Sequence, residues 1–193
     1  MIQTKQDLRR HIEADKRAMG FCAIGGGRNM LVEWLKGNLE DVWLMRFIIC
    51  MRKFEYVSNN YKRYGAAGKL WYLWHKHRYH RKQVQMQIFI GPGAVGEGLH
   101  IVHPGFIRTG ASASIGKRCT ILPRVLIGKK RPGIDAPCVS IGDDCYIGTG
   151  ATILGPVRIG NNVTIAAGVE VVHDVPDNAV VGGNPARILK MKQ

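Results

Sequence analysis

The apolar positions of this chain follow two different rhythms. From the N-terminus to Lys82 they are spaced as on helices. "TKQDLRRHIEADKRAMG" offers Thr4 as an N-cap with Asp7 three positions on, a capping-box arrangement, and Gly20 as a stop. "GGG" at 25–27 is a break. Residues 39–57 carry apolar side chains at nearly every helix-facing position, which predicts a helix enclosed by several neighbours. Residues 61–82, "YKRYGAAGKLWYLWHKHRYHRK", are basic with interleaved aromatics.

The second half changes rhythm. Ile141, Ile147, Ile153, Ile159, Ile165 and Val171 are spaced by six, and Cys145, Ala151, Val157, Val163 and Val169 each follow an isoleucine by four. Ile115, Ile121 and Ile127 repeat the spacing earlier, with Cys119 and Val125 in the second register. Glycine follows the isoleucine at 116, 128, 142, 148 and 160. Such a period fits neither a helix nor a hairpin; it describes short strands joined by regular turns and wound into a solenoid. The branched residue points inward, the smaller one packs near a corner, and Gly and Asn supply turn conformations that other residues resist. Cys119 and Cys145 thereby become core residues. The period slips once: Ile127 to Ile141 is a step of fourteen, and "KKRPGIDAPCVS", residues 129–140, is the material that a solenoid ejects as a loop. The expected organisation is a helical N-terminal domain over residues 1–85 and a mainly β solenoid over 86–193, ending in "NPARILKMKQ" turned back as a short tail.

A chain of 193 residues, 46% hydrophobic and 22% charged, can bury a sizeable core. Its formal charge of +14 is uneven, with 17 Lys and Arg against 7 Asp and Glu in residues 1–90 and 11 against 7 in the remainder. That excess attracts anions: nucleic acid, a membrane surface, an acidic polymer or a phosphorylated cofactor. The five cysteines include no CxxC pair, which argues against a disulfide framework and a structural zinc site and points to a reducing cytoplasm. The N-terminus lacks the apolar core of a signal peptide, and the most apolar run, "VWLMRFIICM", is too short to span a bilayer and is broken by Arg46.

Candidate chemistry centres on "GEGLHIVHPG", residues 96–105. Together with "IGDDCYIGTGATILGPVRIGNNVTIAAGVEVV" and the closing "VPDNAVVGGNPARIL", it makes the chain resemble the hexapeptide-repeat acyltransferases, which are left-handed parallel β-helices, and most closely their serine acetyltransferase branch. The resemblance implies transfer of an acetyl group from acetyl-CoA to a hydroxyl, with no acyl-enzyme and no metal. In that branch the base is the histidine of a "G-x-G-[IL]-x-[IL]-x-H" stretch. Gly96, Gly98, Leu99, Ile101 and His103 match it, which assigns His103 as general base and leaves His100 structural or solvent-facing. A neutral imidazole suits removal of a hydroxyl proton near neutral pH. The resemblance further implies that coenzyme A lies along a groove shared between subunits, so that the protein is a homotrimer or higher. Small residues fit such a groove at Thr149, Gly150, Ala167 and Gly168; Gly128 falls where the family presents a backbone N–H to the thioester; Arg187 and Lys190 would meet phosphates, whereas Lys192 reads equally as solvated tail.

Departures from the branch bear on the acceptor. Fifteen positions before His103, where the serine enzymes place an aspartate, stands Ile88, and no carboxylate lies between 56 and 96. Val102 replaces a second aspartate, and the ejected loop lacks the Arg-His pair that contacts the amino acid. That pattern resembles a sister group, the acetyltransferases of polysaccharide and capsule gene clusters, as does "MRKFEYVSN" at 51–59. Glu55 in that segment would orient the base or the acceptor; its alternative is a surface glutamate paired with Arg52 or Lys53. The expected acceptor is therefore a sugar hydroxyl of a glycan or its precursor, with L-serine as the alternative. Two other classes fit less well. A zinc enzyme of the β-helix type needs three facing histidines, and this half has only His100, His103 and His173. A nucleic-acid binder would use segment 61–82, which reads as well as a helix with aromatics inward and cations outward; an anionic glycan or the inner membrane surface would suit the same charge.

Overall fold

The structure, a computed structural model, describes residues 1–21, 29–110, 112–131 and 138–193. Helix α1 spans Lys5–Ala18, α2 Met30–Leu35, α3 Leu39–Asn60 and α4 Gly65–Met86, with a 3-10 turn at Tyr61–Tyr64. The capping box at α1 is formed: the Asp7 amide donates to Thr4 Oγ1 at 3.0 Å and the Thr4 amide to Asp7 Oδ2 at 2.9 Å. Hydrogen bonds from the Thr4 backbone and side chain hold the Asp7 carboxyl below its ordinary pKa. Helix α3 is enclosed as its apolar pattern predicts, with Val42, Leu44, Met45, Phe47, Ile48, Met51, Phe54 and Val57 all buried. Against it α4 lays Tyr79, stacked on Phe54 at 5.3 Å between ring centroids. The Tyr79 hydroxyl donates to the Ile90 carbonyl at 2.5 Å. The tryptophan of α4 at position 74 stays outside.

After α4 the chain winds through three parallel sheets that form the faces of a triangular coil. The first face holds β2 (His100–Ile101), β5 (Thr120–Ile121), β8 (Tyr146–Ile147), β11 (Thr164–Ile165) and β13 (Ala179–Gly182). The second holds β1 (Ile88–Phe89), β3 (Ile107–Thr109), β6 (Val125–Lys129), β9 (Thr152–Gly155) and β12 (Glu170–Val171). The third holds β4 (Ala113–Ile115), β7 (Val139–Ile141) and β10 (Val157–Ile159). The expected tail is β14 (Arg187–Met191), folded back antiparallel on β13. Val157 pairs with Val139, so a regular coil takes three hexapeptides, one for each face. Val139 in turn pairs with Ala113, which makes that coil longer by more than a whole hexapeptide. This is the slip in the sequence period; residues 132–137 of the ejected loop lie outside the described residues.

The spacing by six places one isoleucine on each face per coil. Ile121 sits over Ile147 and Ile165, Ile127 over Ile153, and Ile115 over Ile141 and Ile159. All are buried, as are Cys119 and Cys145. One corner shows why glycine follows isoleucine: a Cβ on Gly142 would lie 2.5 Å from Asn161 Oδ1 and 2.7 Å from the Gly160 carbonyl oxygen. The close stacking lets side chains cap the next turn. Asp143 accepts from the Lys117 amide, Asn161 from the Asp143 amide and Asp177 from the Asn161 amide, each at 2.7–2.8 Å.

The helices are joined to the top of the coil by one buried charge cluster. Arg52 of α3 and Asp15 of α1 are both 0% exposed. Arg52 Nε and Nη2 donate to the two Asp15 oxygens at 2.8 and 3.1 Å. Nη1 also donates to the Val95 carbonyl at 2.7 Å and Nη2 to the Gly96 carbonyl at 2.5 Å. Asp15 Oδ1 also accepts from the amides of Gly98 and Leu99, both at 2.9 Å. The core is continuous across this junction, from Phe47 and Met51 through Ile88 and Leu99 to Val181.

Urea titration tests both features. Gly142→Ala will lower the free energy of unfolding by about 1–3 kcal/mol through the backbone clash. Gly128→Ala, where a Cβ meets nothing within 4 Å, will change it by less than about 0.5 kcal/mol. Arg52→Leu leaves the Asp15 and Glu55 carboxylates buried without their cation and will remove about 3–5 kcal/mol by the same measurement.

Candidate active site

His103 stands in the turn between β2 and β3, where the chain passes from the first face to the second. Successive turns stack beneath it along this corner. A Cβ on Gly105 would come within 3.2 Å of Pro123. Below, the Gly150 amide donates to the Pro123 carbonyl at 3.1 Å, as does Thr149 Oγ1 at 2.8 Å, and the Gly168 amide donates to the Thr149 carbonyl at 2.8 Å. The corner thus runs from His103 through Pro123 and Thr149–Gly150 to Ala167–Gly168. Gly150 and Gly168 have φ of 71° and 69°, both positive. That region favours glycine, and a Cβ on Gly168 would meet nothing within 4 Å. The backbone here is open to the close approach of a long, thin ligand.

The His103 ring is 62% exposed, and its Nδ1 lies 2.5 Å from Glu40 Oε1. Among the described residues no other hydrogen bond involves the ring. Glu40 belongs to the first turn of α3, where the positive end of the helix favours a carboxylate. The pair adds little to stability, because both side chains are about half exposed or more. Its consequence is chemical. A carboxylate accepts only, so Nδ1 must carry the proton and the lone pair of the neutral ring falls on Nε2, which faces away from Glu40.

Glu40 corrects the expectation placed on Glu55. Glu55 is buried, accepts from the Ile2 amide at 3.1 Å, and lies 3.5 Å from Arg52 Nη1. It belongs to the charge cluster beneath the coil, not to the His103 corner. The pairing with Arg52 is as the alternative had it, but in the interior. No signal in the histidine stretch pointed to Glu40, which is 63 positions away; an acidic residue in the first turn of a long buried helix was the only trace. The two glycines of that stretch are required by packing. A Cβ on Gly96 would lie 2.7 Å from the Gly116 carbonyl oxygen, and Gly98 has φ of +80°.

The other predicted residues divide. Thr149, Gly150, Ala167 and Gly168 share the His103 corner. Arg187 pairs with Gly182, directly beyond Ala166, and so stands at the foot of the same corner. Lys190 is paired with Val180, further along β14 and away from that corner. Lys192 is at the opposite end of the first face, where its Nζ donates to the Asn162 carbonyl at 2.7 Å. Gly128 lies at the far end of β6, one strand away from the corner, where the ejected loop leaves the coil. His100 points elsewhere, into a cavity of about 570 Å³ between α1 and the coil that is lined also by Arg10, Arg17, Glu97 and Arg118. Burial raises the Glu97 carboxyl there, but the hydrogen bond and charge of Lys117, with Arg10, outweigh it and hold the group below its ordinary value. Among the described residues no three His, Cys, Asp or Glu are grouped to hold a metal, and no helix is long and apolar enough to cross a membrane.

Comparison with known proteins bears on the coil and on the fold as a whole. Residues 138–173 match the bacterial transferase hexapeptide family, described as six repeats. The coil is similar to that family over those residues. Its sequence is 39% identical over 105 residues to serine acetyltransferase 4 of Arabidopsis thaliana, covering 53% of this chain and 29% of that one. The chain as a whole superposes on the serine acetyltransferase of Brucella abortus in complex with coenzyme A, with a TM-score of 0.72, 25% identity, and coverage of 98% of this chain and 70% of that one. For the Neisseria gonorrhoeae serine acetyltransferase in complex with serine the TM-score is 0.67, with 27% identity and coverage of 96% and 70%. The chain spans under a third of the length of the Arabidopsis relative.

If the Glu40–His103 pair is the working dyad of this hexapeptide chain, Glu40→Gln will lower thioester turnover by at least about tenfold with little change in stability. Glu55→Gln will do the reverse, loosening the fold while leaving the His103 corner intact. Thiol release and urea unfolding measured on both variants separate the two roles.

Proposed function

We propose that the protein is an acetyl-CoA-dependent O-acetyltransferase with His103 as general base and Glu40 as the residue that fixes its tautomer. The carrying observation is the Glu40–His103 pair at 2.5 Å at the head of an open corner of small residues. His103 Nε2 takes the proton of the acceptor hydroxyl as its oxygen attacks the acetyl carbon, and returns it to sulfur as the C–S bond breaks. The thioester supplies an already activated acyl group, so no nucleophilic side chain is needed. Thr149, Gly150, Ala167 and Gly168 would line the pantetheine arm and Arg187 a phosphate. The His103 ring is exposed on a single chain, which supports a groove completed by a second copy and hence a trimer or higher. We take the coil to wind left-handed, as its resemblance implies, and the free thiols of Cys50, Cys119, Cys138 and Cys145 fit a cytoplasmic setting.

The acceptor we propose is L-serine. The relatives favour it over the sugar hydroxyl expected from the sequence, since those named above are serine acetyltransferases and one holds serine. Glu40 also weakens the argument from the missing aspartate, because it supplies a carboxylate to the base from another element. A sugar hydroxyl is the second reading. It is favoured by Val102 beside the base and by a loop, residues 129–140, that contains no histidine.

Thiol release from acetyl-CoA with L-serine as acceptor tests the assignment. Serine-dependent release that falls by about a hundredfold or more in His103→Ala is the expected result. Stabilisation by coenzyme A without serine turnover would move the acceptor to a glycan, and absence of both would overturn the acetyltransferase reading.

A further inference from the structure

The strongest unassigned feature lies on the outer side of the α3–α4 pair. A cavity of about 290 Å³ there is lined by Arg46 and Lys53 of α3 and by His75, Arg78 and Lys82 of α4, with Cys50 at its base. Two further hollows open from it. One, of about 400 Å³, shares Arg78 and Lys82 and adds Trp74, His77 and Arg81. The other, of about 310 Å³, shares Arg46 and Lys82 and adds Trp43. Together they form a basic trough that includes two exposed tryptophans, Trp43 and Trp74.

The trough holds positive charge without compensation. Helix α4 contains no Asp or Glu over its whole length, Gly65–Met86. Among the described residues none of Arg46, Lys53, Arg78 and Lys82 has a carboxylate within ion-pair distance, whereas Arg10, Lys16, Arg52, Lys117 and Arg118 all do. Arg78 instead lies over the Trp74 ring at 5.3 Å. The crowding is felt by its neighbours. Burial, then the charges of Arg78 and Lys53, push the His75 pKa down, and the same two cations with Lys82 oppose the burial that raises the Cys50 thiol. Like charges held together around a concave surface repel one another unless an anion joins them.

We infer that this trough is a binding site for a phosphate or diphosphate ester, separate from the His103 corner. Arg46, Arg78 and Lys82 are common to adjoining hollows and would grip the phosphoryl oxygens. Trp43 and Trp74 flank them with apolar surface. The same chemistry comes from two sources: a soluble phosphorylated compound, or the headgroup of an anionic lipid with the tryptophans at the interface. The inference does not depend on the acceptor or on the acetyl-transfer reading, since none of these residues belongs to the His103 corner.

The test uses the full chain and two probes. Inorganic pyrophosphate is titrated while tryptophan fluorescence is followed, and co-sedimentation is measured with phosphatidylglycerol–phosphatidylcholine vesicles against phosphatidylcholine alone. The variant is Arg78→Gln/Lys82→Gln; both side chains are on the surface and its folding is checked by circular dichroism. The control, Arg108→Gln/Arg158→Gln, removes the same charge from the coil. Saturable pyrophosphate binding weakened about tenfold or more in the trough variant, and by less than about twofold in the control, supports a site for a soluble phosphate compound. Sedimentation with the anionic vesicles alone, lost in the trough variant and kept in the control, supports the lipid source. Equal weakening in both variants, which would mean that net charge is responsible, overturns the proposal, as does failure to bind either probe. Retained binding in Arg78→Gln/Lys82→Gln also overturns it. Thiol release on the same preparations reads the His103 site independently.

Discussion

A buried arginine joins the two halves of this molecule. Arg52 donates to Asp15 of α1 and to the backbone carbonyls that begin the coil, while Asp15 holds the following amides of Gly98 and Leu99. Exchanging such a cluster for apolar side chains is often nearly neutral, but removing one member strands charge in the interior. Its evident consequence is registration. A helix laid on a coil by hydrophobic contact alone can slide; a forked cation on two fixed carbonyls cannot. Because α3 carries Arg52 near its middle and Glu40 in its first turn, fixing the helix at Val95–Gly96 also sets where the carboxylate meets His103.

The candidate site is therefore composite. The coil supplies the histidine and a corner of small residues; the helices supply the carboxylate. A β-helix repeats its turns with little variation, which suits the binding of an extended chain along successive coils. That regularity leaves few places for an orienting side chain beside the first turn. A helix packed across the top provides one, with its dipole favouring the ionised acid. The long stretch without carboxylates between 56 and 96 shows the same division of labour, since it covers α4 and the entry to the coil and contributes cations instead.

The coil was legible in the sequence because its constraint is local and repeats. A branched side chain turns inward every six residues, and at a corner as tight as Gly142 a Cβ does not fit, so Ile141, Gly142 and their equivalents announce the architecture at a fixed spacing. The helices were legible for the same reason, from the Thr4–Asp7 cap to the apolar run of α3. The site was legible only where it coincides with the repeat. His103 was implied by the resemblance that "GEGLHIVHPG" carries, and the Thr149 and Ala167 turns by the groove that the same resemblance implies. Glu40 obeys no spacing relative to His103, because its place depends on where α3 docks, and that depends on Asp15 and Arg52, 37 residues apart. Glu55 lies away from His103 for a related reason: it is one turn from Arg52 on α3, and so is drawn inward with it.

The central claim is that Glu40 fixes His103 as the Nδ1–H tautomer with Nε2 as the proton acceptor. Nitrogen NMR of the His103 ring in selectively labelled protein, wild type against Glu40→Ala, tests it most directly. The Nδ1–H form is expected in the wild type, with a shift towards Nε2–H when the carboxylate is removed. The same tautomer in both proteins, or Nε2–H in the wild type, would contradict it.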